Sequence, residues 1–498
     1  MRWRLALMIV VLGALVVAVG LAARDGRVPL GVRGEWEWLR LPADRRPGLG
    51  GWALAVASVA AYAGVVGLGS RALSRAGVRP GREAAWVAIL VAAGAASQCG
   101  VLSGAAEGYG LEKWAIVLPF KGPSGYYSVA KEQVHDPRRF LADYPGWIKR
   151  QDSLHIGTHP PGLLLASDAI RRLVGRDPAL MRATLAVAPP SVLRAFRSIN
   201  MAAESRPSRR LDEVDRAAVV LIGALTWLAC AATAAPLYGL ARAGLGPRPA
   251  WAAAACWPLV PSAILFQPIA DTALPLLATT ALALAAHAKG PIVAALAGVV
   301  LAVGMAFTLA FLAVGLAVGI TLATAPGTTL RRRAIMILAT GLGFLLPTIA
   351  AWAASGADPF AIWRWNLKNH ARFYVEYPRS YVSWTFVNVV ELAVALGLPA
   401  VAWGVVGLVS RRVPRACVAT LAVLALLEGS GRNLGEVARL WLPLMPPLLL
   451  AVGPGLDRLR AGPRTLAATT FLLGLQAVAL QASIQVVYPD WERWLPAH

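Results

Sequence analysis

At 498 residues, 57% hydrophobic and only 15% charged, the chain is too apolar for a string of soluble domains, and its apolar runs of about 20 residues are long enough to cross a bilayer. The formal net charge of +22 sits mainly in short loops between those runs, where it reads as topology signals and lipid-headgroup contacts, not as a nucleic-acid surface. Cys99, Cys230, Cys256 and Cys417 lie in or beside apolar runs without a CxxC pair, which argues against a zinc site or a disulfide framework.

The pattern predicts an all-α polytopic membrane protein of about 11–13 transmembrane helices. Spans are expected near residues 5–23, 51–70, 84–103, 217–240, 250–266, 272–287, 290–305, 307–325, 334–354, 385–409, 416–428, 440–453 and 464–485. The first follows Arg2 and Arg4 and runs straight into Arg24-Asp25 with no small-residue cleavage site, so it reads as a retained signal-anchor. Three regions follow: N-terminal helices over 1–103, a large polar loop over 104–216, and a bundle over 217–498 with further loops at 355–384 and 429–439. Between Leu163 and Arg216 the pattern is amphipathic, which suits helices lying in the interface. No internal repeat of solenoid size is present.

Loop charge gives the orientation. With the N-terminus inside, the cytoplasmic loops carry Arg71/Arg75/Arg79/Arg82, Arg242/Arg248, Lys289, Arg331/Arg332/Arg333, Arg411/Arg412/Arg415 and Arg458/Arg460/Arg464, as a positive inner face requires. Residues 24–50 disagree, because they fall outside yet carry six arginines. The outer face then receives residues 104–216, the Gln267–Asp271 turn, the two later loops and the tail from Tyr488. Acids, histidines and tryptophans segregate there, which places the chemistry on the exterior of an inner or plasma membrane.

The polar loop ends on Asp152-Ser-Leu-His155-Ile-Gly-Thr158-His159-Pro160-Pro161-Gly162. A residue before proline is pushed to extended geometry, so His159 is expected on the lip of a helix that Pro160 or Pro161 opens and Thr158 caps. His155 and His159 could bind a phosphate at that helix start or shuttle a proton; the alternative is a rigid corner whose imidazoles only hydrogen-bond. Loop 355–384 offers Trp363-Arg364-Trp365-Asn366-Leu367-Lys368-Asn369-His370, then Arg379-Ser380-Tyr381. Its cations suit a phosphate and its aromatic faces suit sugar rings, with Lys368, His370 and Arg379 the candidate ligands. An interfacial aromatic belt has the same composition. Glu436 and Arg439, three apart, share a helix face at the edge of an apolar run, where a charge pair defaults to a functional reading. Asp271 sits at a helix start, where a carboxylate is favourable in any case.

Taken in order, these motifs resemble the polytopic GT-C glycosyltransferases, including the protein O-mannosyltransferase, aminoarabinose transferase and bacterial mannosyl- and arabinosyltransferase-like members. The resemblance rests on Gly125-Tyr126-Tyr127, on Thr158-His159-Pro160-Pro161-Gly162, on Gln267-Pro-Ile-Ala-Asp271, and on Glu436-Val-Ala-Arg439 ahead of Trp441-Leu-Pro443. It implies transfer of a sugar from a polyprenyl-phosphate lipid to an envelope glycan, lipid or protein acceptor, with Tyr127 among the substrate contacts. The family's acidic pair before the tyrosine is replaced here by Ser124-Gly125. The general base therefore falls among Glu107, Glu112, Asp143 and Asp152, with Asp136 a weaker choice. No ligand spacing demands a metal, although converging carboxylates would admit a divalent ion. A transporter or flippase is the rival class, but it predicts ionisable groups at mid-helix and inverted halves, whereas the central spans are almost purely Ala, Leu, Val and Gly. An inactive relative that binds polyprenyl lipid without turnover is the third reading.

Overall fold

A computed structural model describes residues 2–42, 45–75, 77–120, 124–203, 210–410 and 412–485; Arg411 and the tail from Tyr488 lie outside the described residues. Helix α1 (Arg2–Asp25) is followed by three two-residue strands, β1 (Gly31–Val32), β2 (Trp36–Glu37) and β3 (Leu39–Arg40). Helices α2 (Leu49–Ala72) and α3 (Pro80–Ser103) pack together, and α3 opens on a proline whose missing N–H falls where no helical partner exists.

The polar region holds α4 (Lys113–Val117), α5 (Tyr126–Gln133), α6 (Pro137–Trp147), α7 (Gly162–Arg176), α8 (Pro178–Ala186) and α9 (Pro190–Ala202). Helix α9 buries Val192, Ala195, Phe196 and Ile199, one stripe of an amphipathic helix. Asp136 caps α6 and Asp177 caps α8, each accepting from two backbone N–H groups. Asp136 is thereby a structural cap.

The bundle continues with α10 (Glu213–Ala232), α11 (Ala234–Arg242), α12 (Pro247–Cys256), α13 (Pro261–Leu265), α14 (Leu274–His287), α15 (Pro291–Phe307), α16 (Phe311–Ala323) and α17 (Leu330–Ser355). It closes with α18 (Pro359–Glu376), α19 (Tyr381–Leu396), α20 (Leu398–Leu408), α21 (Arg415–Gly429), α22 (Val437–Leu440), α23 (Met445–Leu448), α24 (Val452–Arg458) and α25 (Pro463–Gln481), and then β4 (Ile484–Gln485). Strand β3 pairs antiparallel with β4, which ties the N-terminal loop to the end of the last helix.

The fold is an all-helical membrane protein, but the expected 11–13 spans are not matched by length. Among the described residues five helices are long and apolar enough to cross a membrane, or six if α19 and α20, bent by 105°, count as one. Helices α14, α15, α16 and α21, of 14, 17, 13 and 15 residues, are apolar but fall short in length, and proline and glycine break three further runs. The runs at 250–266 and 440–453 were expected as spans. Pro258 and Pro261 break the first, and Pro443, Pro446 and Pro447 break the second into single turns. Residues 250–266 and 441–456 are buried throughout, the condition in which a segment can be apolar on every side. The run at 385–409 folds back at Gly397, whose φ of 95° few other residues adopt. Within the expected loop at 355–384, Asp358 and Pro359 start an 18-residue helix, α18.

The two ends of the bundle differ in chemistry. Helix α17, 26 residues or about 39 Å at 1.5 Å per residue, separates them. At one end Arg332 donates to the Lys289 carbonyl, Arg415 to Thr324 at 2.7 Å and Arg458 to Val409 at 3.1 Å. At the other end Tyr374 donates to the Arg432 carbonyl at 3.0 Å and Tyr381 to Gly429 at 3.1 Å. The arginine-rich loop 24–50 belongs to this second end, since Glu35 accepts from Ser380 N at 2.9 Å.

Candidate active site

The corner before α7 is held from several sides. Thr158 Oγ1 donates back to Leu154 O at 2.8 Å and His155 O at 3.1 Å, so it closes the turn and does not cap α7, whose N-cap position is Pro161. Tyr144 OH donates to His159 O at 3.0 Å, and Tyr126 OH to His155 O at 3.3 Å. Helix α18 lies against the corner through Asn366 and Asn369, one turn apart. Asn366 Nδ2 donates to Gly157 O and His159 O at 3.1 and 3.0 Å; Asn369 Nδ2 donates to Ile148 O and Gly157 O at 3.1 and 2.9 Å. Both asparagines are buried, and these bonds satisfy their amide donors.

The packing leaves no room at Gly157, where an added Cβ would run into the Asp152 carbonyl and lie 3.1 Å from Asn369 Nδ2. Gly157→Ala is expected to cost about 1–3 kcal/mol, the usual price of overpacking. A fall in the thermal midpoint together with weakened function checks it; an unchanged midpoint would show that the corner yields.

His159 takes one tautomer. Its Nδ1 lies 2.8 Å from His155 O, which can only accept, so Nδ1 carries the proton and neutral Nε2 keeps its lone pair. Burial holds this imidazole below its ordinary pKa; the Asp271 carboxylate and the His155 carbonyl oppose that, and the Arg439 guanidinium adds to it. His370, its ring 5.5 Å from that of Tyr374, is lowered too, by burial and then by the neighbouring His159 and Arg432.

A charge cluster completes the site. Glu436 accepts from Arg439 Nη2 at 2.8 Å and from Arg379 Nη2 at 3.3 Å. Burial alone would raise the Glu436 carboxyl, but Arg439, Arg379 and then His155 outweigh it and hold it below the usual range. Glu436 has φ 56°, a left-handed backbone at a non-glycine residue, of the kind that persists where surrounding structure enforces it. Buried Glu391 accepts from Ala438 N at 3.0 Å and so fixes the turn that presents Arg439. The Arg379 side chain is only 5% exposed. Its guanidinium lies 5.0 Å from Phe373, 5.1 Å from Trp384 and 5.8 Å from Trp36. Glu35 locks that sleeve by accepting from Trp384 Nε1 at 2.6 Å. Arg439 differs: its Nε is buried with no hydrogen-bond partner among the described residues. Asp271 lies within the electrostatic field of Arg439, His159 and Tyr126.

The expected residues therefore divide. His155, His159, His370, Arg379, Glu436 and Arg439 come together, with Asp152 at the margin, exposed and accepting from Leu154 N at 3.1 Å. Glu107 and Asp143 are exposed. Glu112 is half-buried beside Ser191 and Arg194 of α9, and burial raises its carboxyl. Tyr127 is buried and donates to Asp215 at 2.7 Å, which commits its hydroxyl to the packing of α5 on α10. Lys368 is exposed, with Nζ 4.5 Å from the Trp365 ring centroid. Glu35, Trp36, Trp384, Asn366 and Asn369 were not singled out from sequence as site-builders; of these, only the asparagine pair at three-residue spacing left a readable signal. Among the described residues no group of three His, Cys, Asp or Glu side chains is arranged to hold a metal ion.

Fold and site together define an all-helical membrane protein with a histidine, carboxylate and guanidinium cluster at one end of its bundle. No family model, curated protein or solved structure matches the chain.

Proposed function

We propose that this protein is a membrane glycosyltransferase of the GT-C type. It moves a sugar from a polyprenyl-phosphate donor to an envelope glycan, lipid or protein acceptor at the membrane face that bears the cluster. The observation that carries the reading is the unpartnered, buried Nε–H of Arg439 in the same cluster as His159. A buried donor left without a partner is costly, and a phosphate oxygen is the ligand that repays a guanidinium best.

The chemistry divides among the residues as follows. The acceptor hydroxyl gives its proton to His159 Nε2, its oxygen attacks the anomeric carbon, and the bond from that carbon to the phosphate oxygen breaks with its electron pair leaving on phosphate. Asp271 stabilises the imidazolium that forms, and Arg439, held by Glu436, takes up the charge of the departing phosphate. Arg379 positions Glu436 and does not itself reach substrate. The base in this scheme is an imidazole backed by Asp271, in place of the loop acids Glu107, Glu112, Asp143 and Asp152.

Transfer of radiolabel from a polyprenyl-phosphate sugar to an envelope extract, by the purified protein in nanodiscs, tests the reading. Uptake of a soluble solute with no consumption of lipid-linked donor would move the protein to the transporters. The reading also fixes a pH dependence. His159 must be neutral, and its pKa is lowered, so transfer is full above the ordinary imidazole value of about 6.5 and is lost as pH falls through the lower, folded-state value. Asp271→Asn moves that midpoint further toward acid, because it removes a group that favours the imidazolium. Arg439→Gln moves it the other way. A midpoint indifferent to both substitutions would separate the titration from His159.

A further inference from the structure

At the end of the bundle opposite the cluster, a shallow cleft opens where α14 and α16 finish and α17 and α21 begin; Arg332, Arg333, Arg415, Thr328, Ala285 and Met336 are among its lining residues. Three guanidiniums line it and no carboxylate does. Among the described residues none of the three is paired with an acid. Arg333 donates to Thr328 Oγ1 at 3.1 Å and Ala325 O at 2.8 Å, Arg415 to Thr324 O at 2.7 Å, and Arg332 to Lys289 O. With five N–H groups each, all three keep donors to spare.

Their position adds to the positive charge. Arg332 and Arg333 sit in the first turn of α17 and Arg415 opens α21; neither helix has an acidic residue in its first turn. The N-terminus of a helix carries partial positive charge, where cations are the unfavourable choice and anions the favourable one. Arg333 and Arg415 also lie in each other's field. An arrangement this one-sided favours an anion. Further along α17, Ile335, Leu338 and Leu342 are exposed at 42, 66 and 56%, on one helical stripe that an acyl chain can follow away from the cleft.

We propose that this arginine-lined cleft is a binding site for a phosphate ester, namely the headgroup of an anionic phospholipid whose chains run along α17. Free phosphate shares the headgroup's chemistry and is the other source of the ligand. The site is independent of the reaction proposed at the far end.

Thermal stability of the full chain in neutral detergent, titrated with short-chain phosphatidylglycerol, short-chain phosphatidylcholine and inorganic phosphate, tests it. Native mass spectrometry of lipid retained through purification runs in parallel. Wild type is expected to be stabilised by, and to retain, phosphatidylglycerol in preference to phosphatidylcholine. In Arg333→Gln/Arg415→Gln the apparent affinity falls at least tenfold, while Arg331→Gln, outside the cleft lining, matches wild type. Stabilisation by inorganic phosphate but not by the lipid, lost in the same double variant, keeps the phosphate site and assigns it to a soluble source. Equal affinity in wild type and the double variant, or no preference over phosphatidylcholine and no response to phosphate, overturns the proposal. If the double variant does not fold, Arg415→Gln alone decides, because it leaves the Arg333 bonds to Thr328 and Ala325 in place.

Discussion

His159→Gln is expected to lower sugar transfer by roughly 10²–10⁴-fold, the span typical of a lost general base, while donor binding changes little. Glutamine keeps a donor that can reach the His155 carbonyl, so the corner stays closed and the loss is chemical. Asp271→Asn lowers transfer less, because Nε2 still accepts a proton without its stabilising carboxylate. Glu107→Gln, Glu112→Gln and Asp143→Asn are expected to stay near wild type, since Glu107 and Asp143 are exposed and Glu112 lies beside Ser191 and Arg194. Single-turnover rates for the five variants check the assignment. A large loss in one of the three carboxylate variants, with His159→Gln near wild type, would assign the base to a loop carboxylate.

The second large effect belongs to Arg439. Arg439→Gln removes the guanidinium that faces the leaving phosphate, at a cost of about 10²–10³ in turnover. It also strips Glu436 of its closer partner and leaves the carboxylate to Arg379 alone. Because Arg379 still faces the carboxylate, the loss is roughly 1–3 kcal/mol, read as a lower thermal midpoint. Glu436→Gln combined with Arg439→Gln removes the half-paired carboxylate but deprives Arg379 of its partner, so stability recovers only in part while transfer does not. The double-mutant cycle separates the two contributions. Recovery of both together would mean that Arg439 acts only through the ion pair.

What the sequence disclosed follows from distance along the chain. The histidine corner and the Glu436–Arg439 pair are local, set by proline geometry and by three-residue spacing, and both stand out in the sequence alone; Glu436, however, stands just ahead of α22 in a left-handed backbone and not on the helix face expected for the pair. Arg379 meets Glu436 across 57 residues, Asn366 meets Gly157 across 209, and Glu35 meets Trp384 across 349. No periodicity reports such contacts. Asp271 was legible as a favourable helix-start carboxylate and as part of the Gln267–Asp271 motif, but its nearness to His159 depends on how distant segments pack. The helix count failed for another reason. Averaged hydropathy runs straight across Pro258, Pro261, Pro443, Pro446 and Pro447, around which the chain breaks into single turns that fill the interior, and it does not register that α14, α15, α16 and α21 are short.

An electron cryo-microscopy map of the protein with a polyprenyl phosphate tests the central claim most directly. The account predicts the phosphate within hydrogen-bonding distance of Arg439 Nε, with His159 Nε2 facing the carbon side of the sugar–phosphate linkage when the donor is intact. A phosphate bound with full occupancy elsewhere, with Arg439 Nε turned to a protein or water partner, would contradict it.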